Sequence, residues 1–171
     1  MSGYGKVSLN FNLPEELWTA KDSARLAADT LAAIKLRTTK GLDASGQPFD
    51  DYSEEPIYVA KRGARLKPKG GRVTPSGKSV FYEGGYREYK NRSRRRRKLA
   101  GTAEVDLVLS GNMMNNLVVK GATAQGFTIG LTQHAGYGYY VNQEREFLGL
   151  SPQDVEMVVE AARINLEKKI K

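Results

Sequence analysis

The sequence predicts an α+β fold: a small antiparallel sheet packed against two long helices, with a long extended arm or hairpin insertion. Three observations predict it. Apolar residues recur at helical spacing near both ends of the chain. Between residues 117 and 131 two apolar runs flank a Gly- and Thr-containing turn, the pattern of an antiparallel hairpin. Between residues 38 and 100 turn-forming residues recur every few positions, and one domain does not hold so long a segment as a bare loop. At 171 residues and 40% apolar content, the chain suits a single domain over 1–171, with 56–100 as an arm-like basic insertion within it.

In chain order, Val7, Leu9 and Phe11 alternate with polar neighbours, which fits an edge strand or an ordered arm. Leu13-Pro14-Glu15-Glu16 has the proline and early acids of a helix start. Leu17, Ala20, Ala24, Ala27, Leu31 and Ile34 follow as an apolar stripe. The next region holds Pro56, Pro68, Gly70-Gly71, Pro75, Gly77 and Gly84-Gly85, interrupted by the apolar patches Ile57-Tyr58-Val59 and Val80-Phe81-Tyr82. From Ala103 to Val119 the front half fits a strand or a helix. Ser110 is placed to cap a short helix from Asn112 to about Asn116. Leu117-Val118-Val119 and Phe127–Leu131 form the hairpin around a turn at residues 121–126. His134 to Phe147 is a Gly- and Tyr-rich loop. Ser151-Pro152-Gln153-Asp154 then opens a last helix, with Val155, Val158, Val159, Ala162, Leu166 and Ile170 at helical spacing. Lys168, Lys169 and Lys171 suit its C-terminal dipole end.

Net charge is formally +8, but the positive charge concentrates between Lys61 and Lys98 and leaves the remainder net acidic. Lys90–Lys98 holds seven basic residues in nine and must face water or an anion. Two readings are open. Arg92, Arg94, Arg95, Arg96 and Arg97 could bind phosphates without base specificity, or pair with acids on a neighbouring subunit. Tyr58, Tyr82, Tyr86 and Tyr89 lie in the same segment and suit either kind of surface.

Little points to catalysis. The chain has no cysteine, so disulfides and thiolate metal sites are excluded. His134 is the only histidine, and Asp106, Glu144 and Glu146 stand at no motif spacing from it. A loop-packing or interface role is expected for it. Gly77-Lys78-Ser79 lacks the preceding glycines of a phosphate loop. No enzyme activity, cofactor or metal is expected. No run of residues reaches the length of a membrane span, and no apolar leader opens the sequence.

Four stretches carry a family resemblance. Ile34-Lys35-Leu36-Arg37 is followed by Asp43-Ala44-Ser45-Gly46-Gln47-Pro48-Phe49. Leu107–Met113 contains Ser110 and Gly111. Tyr139-Tyr140-Val141-Asn142-Gln143 comes third, and Phe147-Leu148-Gly149-Leu150-Ser151, running into Asp154, comes last. In kind and order they resemble the motifs of the tailed-bacteriophage virion morphogenesis family of tail completion and head–tail joining proteins. Glu146 stands where members often carry proline, and the motifs do not account for the 60–98 segment. The resemblance implies a structural virion protein at the neck, with no catalytic centre. It would form a hexameric or dodecameric ring that contacts the adjacent connector and a tail-tube or tail-terminator protein, and it would assemble in the host cytoplasm. Double-stranded DNA would pass the lumen, and a basic run lining it would hold that DNA back. This favours contacts between the arm and a neighbouring subunit, with nonspecific nucleic-acid binding through Arg92–Arg97 as the alternative.

Overall fold

The computed structural model describes residues 6–14, 16–64, 67–94 and 105–170. It is an α+β fold with two small antiparallel sheets. The main sheet joins β1 (Lys6–Asn10), β6 (Gly126–Leu131) and β5 (Leu117–Thr123) in the order β1-β6-β5. The second joins β2 (Ile57–Ala60), β4 (Ser79–Tyr82) and β3 (Arg72–Val73) in the order β2-β4-β3. The helices are α1 (Ala20–Thr39), α2 (Gly85–Ser93), α3 (Asn112–Asn115), α4 (Gly138–Glu144) and α5 (Pro152–Ile170).

The alternation of Val7 and Leu9 makes β1 an edge strand, paired from Lys6 opposite Gly130 to Asn10 opposite Gly126. Gly126 sits at positive φ, and a Cβ there would collide with the Leu9 carbonyl, so only glycine lets the strands close at this corner. β5 runs on to Thr123, through residues expected as turn, leaving Ala124-Gln125 between the strands. A bulge between Val119 and Gly121 shifts the register, which hides the alternation that would mark a longer strand.

α1 starts later than expected. The Pro14 carbonyl accepts the Leu17 and Trp18 N–H groups in a separate turn. The helix then opens at Thr19, whose hydroxyl and backbone exchange bonds with Asp22 in a capping box. Its buried side is Ser23, Leu26, Ala27, Thr30, Ile34 and Thr38, whereas Ala20 and Ala24 face solvent. Thr30 and Thr38 can be buried because their hydroxyls donate to the Leu26 and Ile34 carbonyls, each at 2.7 Å.

α1 lies across β5 and β6, and α5 packs against α1. Trp18, Leu26, Ile34, Leu117, Ile129, Leu131, Phe147 and Val158 fill the space between, each at most 2% exposed. A smaller core of Val80, Tyr82 and Tyr89 lies between the second sheet and α2, flanked by Ile57 and Val59. The segment expected as an arm thus contains a folded sheet and a helix, and its turn signals punctuate β-turns. Thr74–Gly77 is one such turn, closed by a 2.8 Å bond from the Gly77 N–H to the Thr74 carbonyl. The stretch expected as a loop from His134 forms a 3-10 turn (Gln133–Ala135) and α4, because Tyr137 and Val141 pack on the main core. No helix among the described residues is long and apolar enough to cross a membrane.

Candidate functional site

The basic helix α2 is the centre of the candidate site. Its sequence period sends Tyr89, Lys90 and Ser93 inward and leaves Asn91 and Arg92 outside. Tyr82 and Tyr89, expected on an interface, are buried in this chain's own core, with ring centroids 5.4 Å apart. They sit on the inner faces of β4 and α2, where packing outranks any surface role. Tyr86 is half-buried, with its ring edge-on to Tyr52 at 5.2 Å. Only Tyr58 of the four stands fully at the surface. Arg92 pairs with Glu88 at 2.7 Å one turn earlier on the helix, and Arg94 pairs with Asp106 at 2.5 Å. Arg95, Arg96 and Arg97 lie outside the described residues.

The first residue of the basic block is the least expected. Lys90 is only 1% exposed. Its ammonium donates to Asp106 Oδ1 at 2.7 Å and to the Tyr52 hydroxyl at 2.6 Å. Asp106 is fully buried and also accepts the Val108 N–H at 3.0 Å. Leu107 between them takes positive φ, strained for a leucine, and donates its N–H to the Tyr52 hydroxyl at 3.2 Å. Arg145 lies over the Tyr52 ring and donates to the Asp50 and Asp51 carbonyls. Burial lowers the Lys90 pKa to about 8 despite the pull of Asp106 in the other direction. Burial likewise pushes the Tyr52 hydroxyl well above its ordinary value. The cluster joins the two cores through charge and hydrogen bonds, and such a network holds only while every member keeps its partner.

Beside the cluster opens an apolar cleft of about 470 Å³, walled by Tyr52, Tyr86, Leu107, Leu109, Tyr137 and Tyr140. Ser110 and Gly111 lie on its rim. Gly111, in the left-handed region, occupies the N-cap of α3, and the Ser110 hydroxyl accepts the Asn112 N–H at 3.4 Å. His134 is exposed, and its carbonyl accepts from Asn112 Nδ2 at 3.4 Å. Among the described residues no group of three or more His, Asp or Glu side chains could hold a metal.

The family-like residues of the two ends meet elsewhere, around Arg37. This side chain is buried at the last turn of α1. It forms an ion pair with Asp154, donates to the Phe147 carbonyl at 2.7 Å and to the Gly149 carbonyl at 3.1 Å. Asp154 completes a capping box with Ser151, accepting its N–H at 2.9 Å and donating its own N–H to the Ser151 hydroxyl at 3.2 Å. Asn142 Oδ1 accepts the Phe147 and Leu148 N–H groups at 3.1 and 2.7 Å. Gly149 has room for no side chain, since a Cβ would stand 2.6 Å from that of Ala44. Leu150 is half-buried against the main core. Gln143 stays exposed and donates to the Tyr139 hydroxyl at 3.1 Å. Most of these residues therefore build the α1–α5 junction.

Sequence reasoning missed the Lys90–Asp106–Tyr52 cluster and the buried Trp18. The one signal for the cluster was Asp106, an acid between Val105 and Leu107 soon after a basic run. No protein-family model, curated protein or solved structure matches the chain.

Proposed function

We propose that this chain is a structural protein of a tailed-phage particle, a head–tail joining or tail completion subunit that works as a ring at the neck. The observation that carries this reading is the convergence on Arg37. Stretches at 34–49 and 147–154, selected for their family-like character, are far apart in sequence and form one buried junction. The surface adds support. α5 exposes Val155, Val159 and Ile170 at 45%, 61% and 70%, in a stripe whose other members, Ala162 and Leu166, are half-buried against the main core. Such a stripe is a surface that assembly would bury. A closed ring needs two different faces on each subunit. In this reading the two long helices supply one, and segment 56–100 acts as the arm that supplies the other.

Its partners are further copies of itself, an adjacent connector, and a tail-tube or tail-terminator protein, with double-stranded DNA in the lumen. Native mass spectrometry and electron microscopy of the purified protein and of intact particles test it. Rings of six or twelve copies are expected, together with the protein in mature particles. A monomer at all concentrations, absent from mature particles, would refute it.

A further inference from the structure

We infer that the outer face of the second sheet is a binding platform for single-stranded nucleic acid. The ladder pairs Tyr58 with Phe81, and Phe81 with Arg72, so the three stand in one cross-strand row. Strand alternation turns Val80 and Tyr82 inward onto α2 and leaves this row outward. Tyr58 is 69% exposed. Its ring lies 4.9 Å from that of Phe81, and the Arg72 guanidinium sits 5.0 Å from the Phe81 centroid on the other side. Neither hydrophobic core includes Tyr58 or Phe81, so the row is open to a partner.

Charge selects the occupant. Residues 57–82 contain seven Lys or Arg and no Asp or Glu. Of these, the ladder places Arg72 on the aromatic face, whereas Lys61 and Lys78, joined by a 2.9 Å backbone bond at the ladder's end, alternate to the face of Val59 and Val80. A polyanion is the complementary partner. A duplex keeps its bases stacked on one another and would use only the cations. Unpaired bases can stack on an exposed aromatic row while the cations track their phosphates. This face lies within segment 56–100, which the ring reading assigns to subunit contacts, but the inference uses neither Arg37 nor α5, and binding by the purified chain is read apart from ring formation.

The test is fluorescence anisotropy of the full chain with a labelled oligothymidylate and with a duplex of equal length, across a salt series. The single strand is expected to bind more tightly at every salt concentration. Tyr58→Ala should weaken it by about five- to 150-fold, the range that one stacked base contributes. Tyr58→Phe should bind like the parent. Arg72→Gln should lower the slope of log affinity against log salt by about 0.7. Polyglutamate should compete poorly. Trp18 emission verifies that each variant is folded. The inference is overturned by any of four results: no binding at all, equal binding of duplex, full affinity in Tyr58→Ala, or displacement by polyglutamate as effective as by the oligonucleotide. It is also overturned if neutralising Arg95, Arg96 and Arg97 alone abolishes binding.

Discussion

Replacing Arg37 by methionine should cost this protein about 4 kcal/mol. The change leaves the Asp154 carboxylate in a site that is 9% exposed without its cation, and breaking such a buried pair from one side costs about 3–5 kcal/mol. It also removes the donors that serve the Phe147 and Gly149 carbonyls, each worth about 1–3 kcal/mol if left unpaired. These contributions overlap, because Asp154 keeps the Ser151 N–H and water can enter from the Gly149 side. The expectation is therefore the cost of the broken pair, about 4 kcal/mol, below the full sum of about 5–11 kcal/mol. Against a total stability of about 5–15 kcal/mol this is a large fraction. With a urea dependence of about 2 kcal/mol per molar, the midpoint should fall by about 2 M. Trp18 is the only tryptophan, is fully buried and donates to Ser23 at 2.8 Å, so its emission follows the unfolding. Asp154→Asn keeps an acceptor for the cap and should cost less. The double variant should be more stable than the sum of the two losses predicts, because the second change removes the stranded charge. A loss below about 1 kcal/mol for Arg37→Met, or strict additivity in the double variant, would refute the account of the junction.

Three further outcomes follow from the same physics. Gly149→Ala should cost about 1–3 kcal/mol through its collision with Ala44, and adding Ala44→Gly should recover part of it in the same urea titration. Between pH 8 and 10.5 the unfolded chain holds the Lys90 proton that the folded chain has released, so this residue makes stability rise across that window. Above pH 10 unfolded Tyr52 loses a proton that the folded form keeps, and stability falls; Lys90→Met should abolish the rise and leave the fall. The Lys169 ammonium, with help from Thr19, lowers the Asp22 pKa from 3.8 to about 2. Its stabilisation is complete above pH 3.8 and lost as pH falls towards 2, so Lys169→Met should flatten the acid limb of an unfolding curve.

The α+β class, the antiparallel pairing of β5 with β6 and the cap of α5 were legible because each depends on a local pattern. Period, turn residues and the Ser151–Asp154 spacing are all readable within a few positions. The buried face of α1 was legible only at Ala27 and Ile34, because Thr30 and Thr38 hide their polarity by bonding to their own helix. Hydropathy scores them as surface. Tyr82 and Tyr89 were misplaced for the converse reason: a tyrosine buries its ring readily when its neighbours are rings, and only the β4 and α2 geometry decides which ones do. The basic run had to face water or an anion, and Lys90 and Arg94 face Asp106 inside the chain. That pairing joins residues separated by the part of the chain outside the description, and no local pattern signals it.

The pairing of β1 with β6 has a consequence for a chain emerging from the ribosome. Lys6 pairs with Gly130, so the main sheet cannot close until more than 120 further residues have been synthesised after β1. The second sheet needs only residues 57–82, with paired residues of β2 and β4 19 to 25 positions apart, and its loop closes at lower entropic cost. It can therefore form while β1 still waits as an unpaired apolar edge. During that interval the nascent chain carries Val7 and Leu9 exposed, and aggregation through this edge competes with completion of the sheet.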